Sequence, residues 1–370
     1  MRNVVFIGES ILSPLGGTPA ENFEAVCRGE SALRRYEGEF GVKEPFVASL
    51  MDRGKWTEPG RTFFDSIVIE AARRAVGAAG IDPASPRTAF VLSAIKGNIE
   101  DLAISLDGGT QDVTLARSAR RLADAFGSPN PAVVVSNACI SGLAALLQGR
   151  RMLLSGAYDH VVVVGAEVQS RFIVTGFQSL KALSEAPCKP FDAKRDGLNL
   201  GEAAAAVVLG FGEEGWELVD GAVRNDANHI SGPSRTGEGS YKALRYVLRH
   251  CTPDELAFVN VHGTSTLYND EMESIAIDRA GLLEVPVNAL KGTFGHTMGA
   301  AGILESILSM RAVDTGLVLP TRGFSELGVS RPVRVSAEAG RTDRRAFVKL
   351  LSGFGGVNGA LLFRKGGAAC

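Results

Sequence analysis

Three residues of this chain have the types and settings that acyl-transfer chemistry requires. Cys139 follows a short apolar run, 132–135, and precedes a longer apolar segment that is predicted to be a buried helix. Helix N-termini carry partial positive charge and free N–H groups, which favour the thiolate of a nearby cysteine. We therefore predict that Cys139 is a nucleophile. The other cysteines are interpreted as small apolar residues without chemistry: Cys27, Cys188, Cys251 and Cys370.

Two histidines, His262 and His296, each follow a predicted strand. His262 lies in Val-His-Gly-Thr-Ser-Thr, and His296 lies in Gly-His-Thr-Met-Gly. Either histidine alone is more often structural than catalytic. Two neutral imidazoles directed at one point, however, can donate hydrogen bonds to an enolate, such as the one formed when a malonyl group loses carbon dioxide. With Cys139, the pair predicts acyl transfer followed by carbanion chemistry.

The elements around these residues indicate an α/β protein. Short apolar runs alternate with longer helical patterns, including a helix over 143–154, one beginning near Asp270, and one opened by the small residues 299–302. Ligand sites of open α/β sheets lie beyond the carboxyl ends of strands, which is where the three residues fall. We predict one compact unit with an internal repeat, divided into halves 1–212 and 213–370. The predicted strands are 4–7, 132–135, 161–164, 258–261, 285–290, 346–351 and 361–363.

Composition excludes several classes of protein. The 370 residues include 39 Lys and Arg against 41 Asp and Glu, so no global positive field favours nucleic acid or an anionic membrane. The five cysteines show no CxxC spacing, which predicts neither a disulfide framework nor a metal site. The sequence contains no apolar stretch of signal-peptide or membrane-span type, so a cytoplasmic protein is expected. No P-loop or GxGxxG follows a strand, which disfavours nucleotide binding.

Three ordered blocks resemble the signature blocks of elongating β-ketoacyl-acyl-carrier-protein synthases. They are Asn137-Ala-Cys-Ile-Ser-Gly142, Val261-His-Gly-Thr-Ser-Thr266 and Lys291-Gly-Thr-Phe-Gly-His-Thr-Met-Gly-Ala-Ala-Gly302. Together with weaker matches, the resemblance covers nearly the whole chain. It implies a thiolase-like α/β fold of five layers, α-β-α-β-α, made from two related halves. The weaker matches are Leu12 to Gly16, Lys189 to Gly197, Gly201-Glu202, Asp226 to His229 and the Gly353 to Asn358 turn.

The resemblance also implies a reaction. An acyl group passes from a carrier protein to Cys139, malonyl carrier protein binds, and decarboxylation yields an enolate that attacks the acyl-cysteine. His262 and His296 are implied to assist decarboxylation and to stabilise the enolate. Lys291 is implied to tune the electrostatics around His296, and Glu273 matches an acidic residue near that lysine.

Further roles follow from the same resemblance. The backbone N–H groups of Cys139 and Phe354 are implied to form an oxyanion hole, and Phe354 to gate the acyl pocket. Thr264 and Thr266 are implied to bind the phosphopantetheine arm, although they could instead satisfy turn backbone. Asp226 and His229 match a mobile loop at the mouth of the site and are kept outside the catalytic set.

The implied partner is an acidic acyl carrier protein, and no cofactor is expected to be bound. The family is usually dimeric, so a homodimer or a heterodimer with a homologous subunit is expected. Arg117, Arg120 and Arg121 have the i, i+3 and i+4 spacing of one helix face and could meet the carrier, although a solvated face explains them as well.

Several positions depart from the family pattern. Leu350-Leu351-Ser352 replaces Asn-Ser-Phe before the glycine turn, and Val357 stands where threonine is common. Ile140 follows the nucleophile where smaller residues are frequent, Ala203 replaces a glycine, and the chain is shorter between residues 96 and 113. Such divergence favours specialised metabolism, for example polyene or aromatic polyketide assembly, over bulk fatty acid synthesis.

Two alternative functions use related folds or chemistry. Thiolases use a second cysteine and initiating synthases use an asparagine in place of one histidine, so the pair His262 and His296 argues against both. A non-catalytic, chain-length-factor-like subunit of a heterodimeric synthase would not need Cys139, which this chain retains.

Overall fold

The structure is a computed structural model, and it describes residues 3–102 and 113–366. Strands and helices alternate along most of the chain, which confirms the predicted α/β class. The strands are β1 (Asn3–Leu12), β2 (Arg34–Tyr36), β3 (Phe46–Ser49), β4 (Thr88–Ser93), β5 (Val133–Val135), β6 (His160–Glu167), β7 (Leu200–Gly201), β8 (Ala203–Gly212), β9 (Trp216–Asn225), β10 (Leu256–Asn260), β11 (Val287–Asn288), β12 (Leu317–Val318), β13 (Gly340–Arg341), β14 (Ala346–Gly353) and β15 (Val357–Lys365).

The helices of the described residues include two long apolar ones that follow β5 and β11. The helices are α1 (Pro19–Cys27), α2 (Arg53–Trp56), α3 (Phe63–Ala79), α4 (Leu115–Ala125), α5 (Ser141–Leu154), α6 (Arg171–Ser179), α7 (Glu238–Val247), α8 (Leu267–Arg279), α9 (Lys291–Phe294) and α10 (Ala301–Asp314). Among these residues, no helix is both long and apolar enough to cross a membrane.

Ten strands form a sheet in the order β11-β10-β14-β15-β9-β1-β8-β6-β4-β5. This sheet consists of two copies of one pattern, joined where Val5 of β1 pairs with Glu217 of β9. Outward from that junction, each copy has two antiparallel pairings followed by two parallel ones. The chain order also corresponds, because β1, β4, β5, β6 and β8 match β9, β10, β11, β14 and β15. The predicted internal repeat is therefore present in the topology.

The two apolar helices α5 and α10 pack on each other between the two sets of strands. Their contact is close enough to need glycine. A Cβ on Gly302 would lie 2.3 Å from the backbone nitrogen of Leu143, and one on Gly142 would lie 2.9 Å from the carbonyl oxygen of Gly299. The small-residue run at the start of α10 thus permits the approach of the helices that follow Cys139 and His296.

Helices also cover the outer faces of both sets of strands. In β6, Val161 and Val163 join the central core, whereas Val162 and Val164 pack with α3. In β14, alternate residues likewise face the central helices and the outer helices α7 and α8. Burying one such side chain stabilises the fold by roughly 1.5–3 kcal/mol. The layers are therefore α-β-α-β-α, as predicted.

Several predicted elements differ in extent: the strands predicted over 4–7, 161–164 and 361–363 are longer, as Asn3–Leu12, His160–Glu167 and Val357–Lys365. The strand expected over 285–290 is only Val287–Asn288, because the backbone N–H of Ala289 donates to Thr321 Oγ1 and the chain then coils into α9. The helix expected near Asp270 begins at Leu267, where Thr266 is its N-cap. The boundary between halves at residues 212 and 213 stays a prediction, and it falls between the end of β8 and the start of β9.

Candidate active site

Cys139, His262 and His296 meet at the buried end of a cavity of about 690 Å³. They follow β5, β10 and β11, so both copies of the repeat contribute. One potential ligand atom from each side chain lies within 4.8 Å of the others. The residues are only 6%, 4% and 1% exposed, respectively. Because the cluster is shielded from bulk water, hydrogen bonds and charges act more strongly within it.

Cys139 is held on a sharp turn between β5 and α5. Ala138, just before it, has φ 45°, a left-handed conformation that costs a non-glycine residue roughly 1–2 kcal/mol. The turn is fixed by Ser141, whose Oγ accepts from the backbone N–H of Asn137 at 2.7 Å and donates to the carbonyl of Ala138 at 2.6 Å. The strained turn therefore sets the direction of the nucleophile side chain.

Burial controls the protonation of Cys139. It raises the pKa of the thiol to about 11, although Lys291 and the backbone N–H groups of Phe354 and Cys139 act in the opposite direction. The backbone N–H at the start of the helix therefore favours the thiolate in the expected direction, but desolvation is the larger effect and the net pKa is raised. At neutral pH the group is a thiol, and acyl transfer requires a proton acceptor.

The imidazoles of His262 and His296 meet edge to face, with centroids 4.9 Å apart and planes at 81°. Nδ1 of His296 accepts from the backbone N–H of Met298 at 3.3 Å, so the ring proton of the neutral form is on Nε2. Nε2 of His296 and Nδ1 of His262 have no hydrogen-bond partner in the part of the chain that the structure describes. The site thus holds polar ring atoms whose hydrogen-bonding capacity is unused among the described residues.

Both imidazoles are neutral. Burial lowers the pKa of each well below its ordinary value, and the positive charges of Lys291 and Lys349 lower both further. A neutral imidazole can accept a proton at one nitrogen and donate a hydrogen bond from the other. The pair can therefore serve both a thiol that must lose its proton and an oxyanion that must be stabilised.

Glu273 fixes the backbone at His262. Its two carboxylate oxygens accept from the backbone N–H groups of His262 and Gly263, each at 2.7 Å. Burial raises the pKa of this carboxyl to about 7, with the charge of Asp270 as the second cause. Glu273 therefore holds the turn that begins directly after β10.

Lys291 is paired with Glu305 at 2.9 Å, and the same carboxylate also binds Lys349. All three side chains are buried. Glu273, which matches the acidic residue expected near Lys291, is hydrogen-bonded to the backbone at His262, and the charge of Lys291 acts on its carboxyl without a direct ion pair between the described side chains. Glu305 lies in the central helix α10 and faces β14, where Lys349 is located.

Phe354 and two threonines line the cavity between its mouth and Cys139. The ring of Phe354 stacks on Phe177 of α6, with centroids 5.7 Å apart. The hydroxyl oxygens of Thr264 and Thr266 lie 2.9 Å apart, and Thr266 also accepts from the backbone N–H of Asn269 as the cap of α8. Thr266 therefore combines a structural contact with a position on the cavity wall.

The loop after β9 closes against the glycine turn that contains Phe354. The backbone N–H of Asp226 donates to the carbonyl of Gly356 at 2.9 Å, and that of Gly355 donates to the carbonyl of Ile230 at 2.6 Å. His229 lines the cavity near its mouth, as do the cationic residues Lys181 and Arg235. The two segments thus form one continuous rim.

The three arginines considered as a carrier surface lie on α4, as predicted. Arg117 and Arg120 are exposed, but Arg121 forms an ion pair with the buried Asp65 at 2.5 Å. One of the three is therefore committed to a contact within the fold. The neighbouring segment 103–112, which includes most of the region where the chain is short, lies outside the described residues.

Sequence reasoning missed Glu305, Lys349 and Phe177. For the first two a signal existed, since each is a charged residue inside an apolar element that is covered on both sides. A charge in such a position must have a buried partner. Phe177 carried no comparable signal, because its contact with Phe354 depends on the course of separate loops.

Comparisons with known proteins agree with this geometry. Residues 62–214 match the family model of the β-ketoacyl synthase N-terminal domain, and residues 216–325 match that of the C-terminal domain. The chain is 28% identical over 422 residues to 3-oxoacyl-(acyl-carrier-protein) synthase 2 of Rhizobium meliloti (strain 1021), with 99% of each chain covered.

Two further similarities are to a polyketide synthase subunit and to a solved ketosynthase structure. The tetracenomycin polyketide synthase ketoacyl synthase alpha subunit of Streptomyces glaucescens is 28% identical over 419 residues, with 98% of this chain and 97% of that protein covered. The solved structure titled the ishigamide ketosynthase/chain length factor has a TM-score of 0.88 at 27% identity, covering 99% of this chain and 100% of that chain. These similarities confirm the predicted thiolase-like fold.

Proposed function

The chain belongs to the β-ketoacyl synthase family of acyltransferases, and on that premise we propose that it joins an acyl group on Cys139 to malonyl carrier protein by decarboxylating condensation. The observation that carries the proposal is the meeting of Cys139, His262 and His296 within 4.8 Å at the buried end of one cavity. Neutral imidazoles with unpartnered ring nitrogens suit enolate chemistry.

In the first half-reaction, the Cys139 thiol gives its proton to one of the neutral imidazoles. The sulfur attacks the carbonyl carbon of the acyl carrier thioester, and the carbonyl oxygen becomes an oxyanion. The backbone N–H groups of Cys139 and Phe354, which lie close to the sulfur, stabilise that oxyanion. The C–S bond to the carrier then breaks, and the departing thiolate takes the proton back.

In the second half-reaction, malonyl carrier protein occupies the cavity and its C–C bond to the carboxylate breaks. The electron pair moves into an enolate, whose oxygen receives hydrogen bonds from His262 and His296. The enolate carbon attacks the acyl-Cys139 carbonyl, a C–C bond forms, and the C–S bond to Cys139 breaks. The products are carbon dioxide, a β-ketoacyl carrier protein and the Cys139 thiolate, which takes a proton from solvent to restore the thiol.

The remaining residues position the carrier-bound substrate. Thr264 and Thr266 line the cavity and are suited to hydrogen-bond the phosphopantetheine arm. Phe354 lies on the route to Cys139 and is suited to act as a gate through its contact with Phe177. Lys181 and Arg235 bring positive charge to the mouth, which suits the phosphate of the arm and an acidic carrier protein.

We further propose that the pathway is specialised, of the type II polyketide or polyene kind, with fatty acid synthesis as the second possibility. The similarity to the tetracenomycin subunit and the ishigamide ketosynthase supports this, as do the departures at Leu350, Leu351 and Ile140. The proposed assembly is a dimer, either with a second copy or with a homologous subunit.

The silent, chain-length-factor-like subunit is the alternative function. The similarity to the ishigamide ketosynthase/chain length factor is the observation that supports this alternative. Against it stands the intact cluster, because a subunit without chemistry gains nothing from a buried cysteine between two neutral histidines. The proposal of an active synthase is therefore preferred.

The proposal is tested by intact mass after incubation with a panel of acyl carrier proteins. The expected result is one acyl adduct on the wild-type protein and on Cys188→Ala, but none on Cys139→Ala. Cys188 is the matched control because it is also a buried, free cysteine. An adduct on Cys139→Ala would refute Cys139 as the acceptor, and no adduct on any form would favour the silent subunit.

A further inference from the structure

Lys349 is a lysine in the middle of an apolar strand. It lies in β14 and is 0% exposed, and its neighbours Val348 and Leu350 belong to the apolar core. A buried ammonium group is costly unless it is paired and hydrogen-bonded. Lys349 therefore requires buried partners that compensate its charge.

The ammonium group of Lys349 uses its donors on three partners. Nζ binds Glu305 Oε2 at 2.5 Å, Asn260 Oδ1 at 2.6 Å and the carbonyl oxygen of Val261 at 3.2 Å. The other oxygen of Glu305 binds Lys291 at 2.9 Å. Lys349 is thus joined both to the residue before His262 and, through one carboxylate, to the lysine that precedes His296.

A polar ladder continues from Lys349 across the sheet. The strands β14, β10 and β11 are adjacent and parallel, and Asn260 is in register with both Lys349 and Asn288. Asn260 Nδ2 donates to Asn288 Oδ1 at 2.7 Å, and both asparagines are buried. Because β10 leads to His262 and β11 leads to His296, the ladder connects the strand ends that deliver the two imidazoles.

Two positive charges of the cluster are paired with one shared carboxylate. The two ammonium groups of Lys291 and Lys349 share the single carboxylate of Glu305, and Glu273 is the other carboxyl that acts on Lys349. Lys349 is among the causes that lower the pKa of both imidazoles. A neutral imidazole hydrogen-bonds an enolate, whereas an imidazolium would protonate its carbon and leave an acetyl carrier instead of a condensed product.

We propose that Lys349 is a positioning residue for the condensation, one that ties together the strand ends carrying His262 and His296 and supplies a second positive charge behind them. This inference rests on the proposed function, since it assigns a role in the same reaction. Lys349 itself does not touch the substrate cavity, so its effect is transmitted through the two histidines.

The test compares Lys349→Met and Lys349→Gln with the wild-type protein. Both variants lose the charge, whereas only Gln keeps a hydrogen-bond donor. Lys365→Met is the control: Lys365 lies on the neighbouring strand β15, and its ammonium group is paired with Asp314 of α10. Histidine-selective ¹⁵N NMR follows the titration of His262 and His296. Relative to the wild-type protein, the titration midpoints of both histidines are expected to rise by about one pH unit, a tenfold change in proton affinity, in both Lys349 variants. No rise is expected in Lys365→Met.

A second measurement follows the products from acylated protein and malonyl carrier protein at pH 6. We expect the ratio of acetyl carrier to β-ketoacyl carrier to rise about tenfold in both Lys349 variants, with KM for malonyl carrier unchanged within twofold. A simple packing defect would lower the melting temperature without moving the titration or this ratio. Circular dichroism shows which variants are folded. If Lys349→Met does not fold, the titration and the product ratio of Lys349→Gln test the role of Lys349.

The outcomes separate this inference from the proposed function. Unchanged imidazole titration and an unchanged product ratio in a folded variant would overturn the role of Lys349. If the wild-type protein forms neither product, the proposed function fails, and the imidazole titration alone then confirms or overturns the effect of Lys349 on the two histidines.

Discussion

His262 and His296 follow different strands, yet their rings meet edge to face with centroids 4.9 Å apart. Each ring has one nitrogen without a partner in the described residues, and these nitrogens are Nδ1 of His262 and Nε2 of His296. Burying two polar atoms without partners is unfavourable unless a substrate supplies the missing contacts. The pair is therefore the feature of the site most directly suited to an anionic intermediate.

Replacing either histidine should affect the two half-reactions unequally. For His262→Ala and His296→Ala, we expect condensation to fall at least about 100-fold, because the enolate loses one of its two donors. Acylation of Cys139 should fall less, since the remaining imidazole can still accept the thiol proton. Rapid-quench mass spectrometry of the acyl adduct and of the β-ketoacyl product measures both rates. Equal loss of both in each variant would contradict this division of roles.

Alkylation of Cys139 should depend strongly on pH. Its pKa is raised to about 11, so the thiolate fraction and the rate of modification by iodoacetamide should increase across pH 7–10 without reaching a plateau. Lys291→Met should raise the pKa further and slow alkylation at each pH, because the charge that favours the thiolate is removed. Intact mass measures the rate, and Cys139→Ala corrects for the other cysteines. A plateau below pH 8 in the wild-type protein would disprove the thiol assignment.

Glu305→Gln should destabilise the fold. The change leaves Lys291 and Lys349 buried without their shared carboxylate, which costs about 3–5 kcal/mol in the free energy of unfolding. Denaturant unfolding measures the loss, and Glu24→Gln is the control because its ion pair with Arg28 is exposed. A difference below about 1 kcal/mol between the two variants would show that the network does not stabilise the protein.

The same carboxylate gives a prediction about acid stability. The two lysines lower the pKa of Glu305 in the folded state from 4.5. Its contribution is therefore fully present above pH 4.5 and is lost as the pH falls through the lower, folded-state value. The free energy of unfolding of Glu305→Gln should accordingly vary less below pH 4.5 than that of the wild-type protein.

The parts of the site that sequence could predict are those set by local pattern. Strand ends before Cys139 and His262, the buried helix after Cys139 and the glycine-dependent approach of α10 all follow from apolar runs and small residues. These features depend on neighbours within about ten residues, which a single sequence displays directly.

What sequence could not predict depends on contacts between distant elements. Lys291 is separated from Glu273 and from Glu305 by similar distances along the chain, and only the packing of α10 against β14 decides that Glu305 is the partner. The raised pKa of Cys139 could not be predicted from the sequence for a related reason. The helix terminus is a local feature, whereas the burial that outweighs it is produced by the whole fold.

The central claim is that this protein forms a carbon–carbon bond through Cys139. The most direct measurement mixes the acyl-charged protein with malonyl carrier protein and follows the carrier by mass spectrometry. Wild-type protein and Cys188→Ala should yield β-ketoacyl carrier. Cys139→Ala should yield none, and its only product should be acetyl carrier from histidine-driven decarboxylation. A β-ketoacyl product from Cys139→Ala, or none from a wild-type protein that carries the acyl group, would contradict the account.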